Sequence, residues 1–340
     1  MDVRIMNEKR FIGLIGLGYW GKNILRNLYE LGVLHSACDF NKDIIEQRRK
    51  DFPDINYTQN LEDILEDPEI KGIAIATPAV THYEIAKKAF LSGKDVFVEK
   101  PLSLKISEAE ELIKISEEKK QILMVGHILQ YHPAVLKLKE IVNNKELGEI
   151  EYIYSNRLNI GKIRTEENVL WSLAPHDISV ILMLLGEEPL KVYAFGGAYV
   201  TSGIHDVAIV TLDFKDNKKA HIFISWINPY KEQRLVVVGS KAMAVFDDVS
   251  KEKLFLYPNK ILWENGIPNT YRAEATVIPI ESGEPLKLEL SHFVECILER
   301  KRPKTDGYEG LRVLKVLEKA DKSLRENDSE IIRSVQNNVR

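Results

Sequence analysis

The chain has 340 residues, 44% of them hydrophobic and 29% charged, with a formal net charge of −4. That length exceeds one ordinary core and points to two domains. The balanced, slightly acidic composition gives no electrostatic case for a nucleic-acid partner.

No apolar run approaches the roughly 20 residues of a membrane span, and Met1-Asp2-Val3-Arg4 does not open a signal peptide, so a cytoplasmic location is expected. Cys38 and Cys296 make neither a disulfide framework nor metal spacing. His35, His205, His221 and His292 are scattered, and no metal is expected.

Up to about residue 126, short β-type runs alternate with helical patterns. Strands are expected at Arg10–Ile15, Val33–Cys38, Gly72–Ala76, Asp95–Val98 and Ile122–Val125, with helices up to Leu31, from Lys42, over Val80–Leu91 and over Ser107–Glu118. Such alternation builds a parallel sheet covered by helices on both faces, which explains why Ile73-Ala74-Ile75-Ala76 lacks period-two polarity. The expected fold class is therefore α/β, with an N-terminal Rossmann domain over residues 1–126.

From Gly148 the strands lengthen and partly alternate: Glu149–Arg157, Lys191–Tyr199, Asp206–Phe214, Ala220–Ile227, Arg234–Gly239 and Ala242–Asp247. They read as an antiparallel meander, so residues 127–340 form an α+β domain with a large, mainly antiparallel open sheet. A helix over Val169–Leu185 should cover one face, leaving Ile224, Trp226 and Val236 on the other for self-association. Helices at Leu286–Glu299 and Gly307–Glu326 are expected to return to the first domain, and the polar tail after Asn327 to fray.

Function is written first in Gly16-Leu17-Gly18-Tyr19-Trp20-Gly21, between a strand and a helix. The first glycine permits the tight turn, the second the approach of a pyrophosphate, and the third close helix–sheet packing. Asp39, eighteen residues after Gly21, ends the second strand, where a carboxylate accepts from ribose hydroxyls and repels a 2′-phosphate. NAD is expected rather than NADP. Arg48 and Arg49 are the basic residues that could still reach a phosphate, and Asp39 could equally cap the helix near Asn41.

Two further strand ends carry unusual sequences, Thr77-Pro78 with His82, and Glu99-Lys100-Pro101. Pro101 keeps Lys100 out of helical geometry, at the strand end where open α/β sheets bind ligands. A lysine partly desolvated beside a cationic nicotinamide loses proton affinity and becomes a base for a hydroxyl proton. Glu99 is placed to fix the lysine head or to contact the nicotinamide ribose.

Together with Gly93-Lys94, these motifs resemble the Gfo/Idh/MocA oxidoreductases, and the resemblance spans nearly the whole chain. It implies cofactor contacts from Gly16, Gly18, Tyr19, Trp20, Gly21, Asp39, Thr77, Pro78, His82, Glu99 and Lys100, with Lys100 catalytic, and homodimers or homotetramers built through the C-terminal sheet. It also implies a second catalytic residue at His176, ten residues before Gly186, although Ser172 stands where the family often has Asp. Asp177 is then placed to orient the histidine or to favour a helix N-terminus.

Arg157, Asn159, Lys162 and Arg164 form a basic cluster able to hold a substrate diphosphate or carboxylate, or simply a solvated loop. His127, Gln130, Tyr131 and His132 mark the crossing between domains and receive no role. The expected reaction is hydride transfer between a secondary alcohol on a sugar, nucleotide-linked as in a UDP-sugar, and NAD, with proton transfer by Lys100 and His176. A free polyol or inositol dehydrogenase is the alternative enzyme, and a catalytically silent dinucleotide-binding regulator the alternative of another class.

Overall fold

The apolar runs without alternation become the parallel strands of a six-stranded sheet in the computed structural model, which describes residues 10–338. Its elements are β1 (Ile12–Ile15), α1 (Gly21–Glu30), β2 (Leu34–Cys38), α2 (Lys42–Asp51), β3 (Asn56–Thr58), α3 (Glu62–Leu65), β4 (Gly72–Ile75), α4 (His82–Leu91), β5 (Asp95–Glu99), α5 (Ile106–Glu118) and β6 (Leu123–Gly126). The strand order is β3-β2-β1-β4-β5-β6. Chain direction across the sheet therefore reverses between β1 and β4, which opens a crevice beyond the carboxyl ends of those strands.

A second compact unit holds α6 (Pro133–Asn143), β7 (Ile150–Ile160), α7 (Val169–Leu185), β8 (Lys191–Gly197), β9 (Val207–Asp213), β10 (Lys219–Ser225), β11 (Ile227–Gly239), β12 (Met243–Asp247), β13 (Leu254–Tyr257), β14 (Lys260–Glu264), β15 (Ile267–Tyr271) and β16 (Thr276–Val277). Eight of these strands form one sheet, ordered β16-β13-β12-β11-β7-β10-β9-β8. The expected meander needs one correction, because β10 pairs with β7 in parallel. The reason is α7, which leads the chain from β7 to the edge strand β8, so that the β8–β9–β10 meander returns alongside β7. β14 and β15 form a separate hairpin turning at Asn265-Gly266, both at positive φ, as a two-residue hairpin turn requires.

α7 packs on β7, β9 and β10, and the strand residues facing it are buried. Ile224 and Trp226 belong to that covered face, at 0% and 2% exposure, so they do not form the expected self-association surface. Val236 does lie on the other face, opposite Tyr154 and Val245 in the ladders. Tyr193 and Phe195 of the edge strand share that face through Thr211 and Ile209, and are 50% and 55% exposed.

The first unit comprises the chain up to Tyr131 and recruits Gly283–Leu314. α8 (Pro285–Glu299) packs on α1, and Phe293 meets Phe97 of β5 with ring centroids 5.8 Å apart. Contact is so close that a Cβ on Gly72 would lie 2.5 Å from Ile297 Cδ1. The segment after α8 then covers the sheet edge: the Val125 N–H donates to the Thr305 carbonyl at 2.7 Å, removing an open strand edge. α9 (Gly307–Asn338) continues helically through the polar stretch expected to fray after Asn327.

Cys38 and Cys296 are buried free thiols, and no helix among the described residues is long and apolar enough to cross a membrane. Met1-Asp2-Val3-Arg4 lies outside the described residues. Phe293 is wholly buried at the α8–sheet contact. Phe293→Ala should cost about 3–5 kcal/mol, seen as an earlier urea midpoint.

Candidate active site

The turn between β1 and α1 is built by contacts that no side chain could survive. Gly16 has a φ of 95°, and a Cβ there would lie 2.7 Å from the Ala76 carbonyl carbon. On Gly21 a Cβ would fall 2.0 Å from the Gly16 oxygen. Gly18 differs, since nothing lies within 4 Å of the place a Cβ would occupy and its backbone faces open space. α1 begins there with no side-chain cap and no acid in its first turn, so no side-chain charge opposes an anion at the positive end of its dipole. The turn therefore fits a pyrophosphate.

Asp39 closes the adjoining side. It is 7% exposed, and its carboxylate accepts from the Leu17 N–H at 2.7 Å and the Asn41 N–H at 2.9 Å. The helix cap itself is Asn41, whose side chain accepts from Asp43 and Ile44. Arg48 Nε donates to the Leu17 carbonyl at 3.2 Å, so the first turn residue is held from both ends. Arg49 instead lies over the Tyr57 ring at 5.0 Å.

β4 and β5 deliver the other two motifs to the same end of the sheet. His82, 1% exposed, sets one ring nitrogen 2.9 Å from the Thr77 carbonyl and the other 2.7 Å from the Pro101 carbonyl. With both nitrogens on backbone oxygens, His82 ties the two strand-end loops together rather than facing a ligand. Thr81 adds a hydrogen bond to Thr77 Oγ1 at 2.7 Å, and Pro78 precedes the short turn Ala79–Thr81. The Lys100–Pro101 peptide is cis. Lys94 of the Gly93-Lys94 pair lies at the opposite end of β5, where its ammonium is bound by the carbonyls of Asp67 and Ile70 at 2.6 and 2.8 Å, a structural role.

Trp20 reaches from the glycine turn to the end of β5, its indole N–H donating to Glu99 at 2.6 Å. Tyr19 beside it is 84% exposed. Burial pushes the Glu99 carboxyl up to about 7, against the lowering effects of the Trp20 bond and the Lys100 charge. Gly126, opposite Glu99 in the ladder, leaves the room it needs, since a Cβ there would stand 3.1 Å from the carboxyl. His127 follows on β6, 1% exposed, and burial together with the Lys100 charge pushes its imidazole down to about 3. Gly126 and His127 are the strand-end residues that sequence reasoning left without a role.

In the second unit, α7 is capped by Asn168, whose side chain accepts from Leu170 and Trp171 at 3.1 and 3.2 Å. It ends at Gly186 in the left-handed conformation, and carries a half-buried His176 beside Pro175. Ser172, one turn earlier, is buried.

Three expectations for this region are corrected. Arg157 does not present its guanidinium to a phosphate: it is 8% exposed and bound bidentately by Asp177 at 2.6 and 3.1 Å. Asp177 neither orients His176 nor sits at a helix N-terminus, because it lies in the middle of α7 and its oxygens serve Arg157 and Ser155. The loop beyond β7 is less basic than it reads, since Arg164 pairs with Glu167 at 2.5 Å, and Lys162 acts on the neighbouring Glu166. Among the described residues no group of acids, histidines and cysteines could hold a metal.

Comparison with known proteins accords with this geometry. Residues 11–127 match the model of an oxidoreductase family with an NAD-binding Rossmann fold, and residues 135–245 match the GFO/IDH/MocA C-terminal domain. An uncharacterised oxidoreductase, YrbE, of Bacillus subtilis is 30% identical over 258 residues, 72% of this chain and 75% of that protein. The chain belongs to the Gfo/Idh/MocA oxidoreductase family.

A UDP-N-acetylglucosamine 3-dehydrogenase of Acidithiobacillus ferrooxidans is 27% identical, over 89% of this chain and 93% of that one. Its solved structure superposes with a TM-score of 0.81, covering 92% and 96% of the two chains at 24% identity, and so shares the fold. An NAD(+)-dependent scyllo-inositol 2-dehydrogenase of Bacillus subtilis is 25% identical over 86% of each chain. In this oxidoreductase the Arg157–Asp177 pair is a buried structural charge. Asp177→Ala should cost about 3–5 kcal/mol by stranding the guanidinium, read as a fall in Tm, whereas a substrate-binding role would raise KM at unchanged Tm.

Proposed function

We propose that the chain is an NAD-dependent dehydrogenase that reversibly oxidises a secondary alcohol on a sugar, with a nucleotide-linked sugar as substrate. The carrying observation is the strand-end row: the glycine turn after β1 and Glu99-Lys100 after β5 stand at one end of one sheet, joined by the Trp20–Glu99 hydrogen bond. NAD supplies the hydride acceptor when bound. The turn and the first amides of α1 hold its pyrophosphate, and Asp39 accepts from the adenosine ribose, which favours NAD over NADP.

Lys100 takes the hydroxyl proton as the carbinol carbon loses hydride, and returns it in the reverse direction. His176 is the second acid–base group. The resemblance of 89% of the chain to a UDP-N-acetylglucosamine 3-dehydrogenase supports the nucleotide-linked substrate. A free polyol is the second reading, favoured by the ion pairs that neutralise Arg157 and Arg164.

Assay of the full chain with UDP-sugars, free hexoses and inositols, following NADH absorbance, tests both readings. Turnover of a UDP-sugar alone supports the first, turnover of an inositol or free sugar the second, and stoichiometric NAD binding without turnover of any of them would point to a silent cofactor binder. On the substrate found, Lys100→Met should lower kcat/KM by about 10²–10⁴-fold with Tm retained; full activity would remove the lysine from the mechanism.

Self-association is assigned to the uncovered face of the eight-stranded sheet, which carries Tyr193 and Phe195. Phe195→Asp is then expected to shift the assembly toward monomer in light scattering behind gel filtration, and an unchanged mass would place the interface elsewhere.

A further inference from the structure

Glu289 stands on α8 with 0% exposure, and neither carboxyl oxygen has a hydrogen-bond partner among the described residues. An ionised carboxylate there would lose its hydration with nothing in exchange, so the group is held uncharged. The negative charge of Glu99 works in the same direction. Lys304, the cation acting on Glu289, is itself committed elsewhere, donating to the Gln130 carbonyl at 2.8 Å with its ammonium 3.9 Å from the centre of the Tyr131 ring.

A wholly buried carboxyl and a half-buried one whose charges oppose one another do not both ionise, and the charge settles on the one with a donor. That one is Glu99, which receives the Trp20 N–H and adjoins Lys100. Two neighbouring groups stay neutral: His127 is kept uncharged by burial and the Lys100 charge, and burial drives the Tyr131 hydroxyl far above its ordinary range. Glu99, pushed up to about 7, therefore exchanges its proton beside two lysines that also titrate, Lys100, the base of the proposed reaction, and Lys304, which burial pulls down to about 8.

We propose that the Glu99 carboxyl is a proton site tied to the oxidation state of the bound dinucleotide: protonated beside a neutral, reduced nicotinamide and ionised beside a cationic, oxidised one, with Glu289 uncharged behind it in both states. The proposal rests on the reading of the strand-end row as the nicotinamide site. Binding of NAD⁺ to the protonated protein then releases the Glu99 proton to solvent, and binding of NADH releases none. As pH falls and Glu99 takes up its proton, the favourable charge pair disappears, so affinity for NAD⁺ weakens while affinity for NADH does not. Because the Trp20 N–H stabilises the ionised form, its removal moves the midpoint to higher pH.

Calorimetric titration of the full chain with NAD⁺ and with NADH, in buffers of different ionisation enthalpy between about pH 5.5 and about pH 8.5, counts the protons directly. Expected are release of up to about one proton with NAD⁺, none with NADH, and an NAD⁺ affinity about tenfold weaker at the acid end. Glu99→Gln should abolish the release, Trp20→Phe should raise its midpoint, and Glu289→Gln, an isosteric neutral group, should leave proton count and midpoint as in the wild type. A Tm near the wild-type value verifies that each variant folds.

Tight NAD⁺ binding without proton release, or release that survives Glu99→Gln, would overturn the assignment. A midpoint displaced by Glu289→Gln would do the same by placing the charge on Glu289. Failure to bind either dinucleotide would instead bring down the underlying reading of the site, and this inference with it.

Discussion

Close backbone contact at the end of β1 is the constraint from which the first unit's chemistry follows. Gly21 lies against the Gly16 carbonyl, and Gly16 against Ala76, so the start of α1 is pressed onto the ends of β1 and β4. Only then can Trp20, between two of those glycines, reach across to Glu99 on β5. A methyl group on Gly21 would push α1 away from the sheet and separate the start of the helix from the end of β5. His82 plays the corresponding part for the next two strands, holding the loops after β4 and β5 by their carbonyls.

Much of this was legible because the motifs are local. Glycine spacing, the end of a β-run and a following proline place Gly16, Asp39 and Lys100 without knowledge of the rest of the chain. The long helices and the fully apolar strands were legible for a similar reason, since burial on both faces leaves a periodicity that few other structures share. β3 escaped because Asn56–Thr58 is three residues of mixed polarity, paired only along one edge of β2. The parallel β7–β10 pairing escaped because strand partners are chosen by where α7 delivers the chain, which no run of residues records.

Side-chain roles were least legible where the deciding partner is distant in sequence. Arg157 in a basic stretch reads as a ligand-binding residue until Asp177, twenty positions away, is found across from it on α7. Asp177 next to His176 likewise reads as its orienting carboxylate, although successive residues on a helix point in different directions. Glu289 carries no sequence signal at all, since a lone glutamate in an amphipathic helix is ordinarily a solvated one.

Burial alone does not distinguish a structural charge from a functional one; the completeness of its partners does. Arg157 and Asp177 cancel each other's charge and share a bidentate pair plus a serine hydroxyl, so each charge has the partners it needs. Lys94 is satisfied by two carbonyls in the same way. Glu99 and Glu289 divide one indole N–H, the Lys100 backbone N–H and the influence of two lysines between them, all of the hydrogen bonds falling to Glu99, which leaves the pair short of the partners that two full charges require. A fold tolerates that shortage only where a proton can take the place of a missing partner, and here the shortage lies next to Lys100, the lysine proposed as the base.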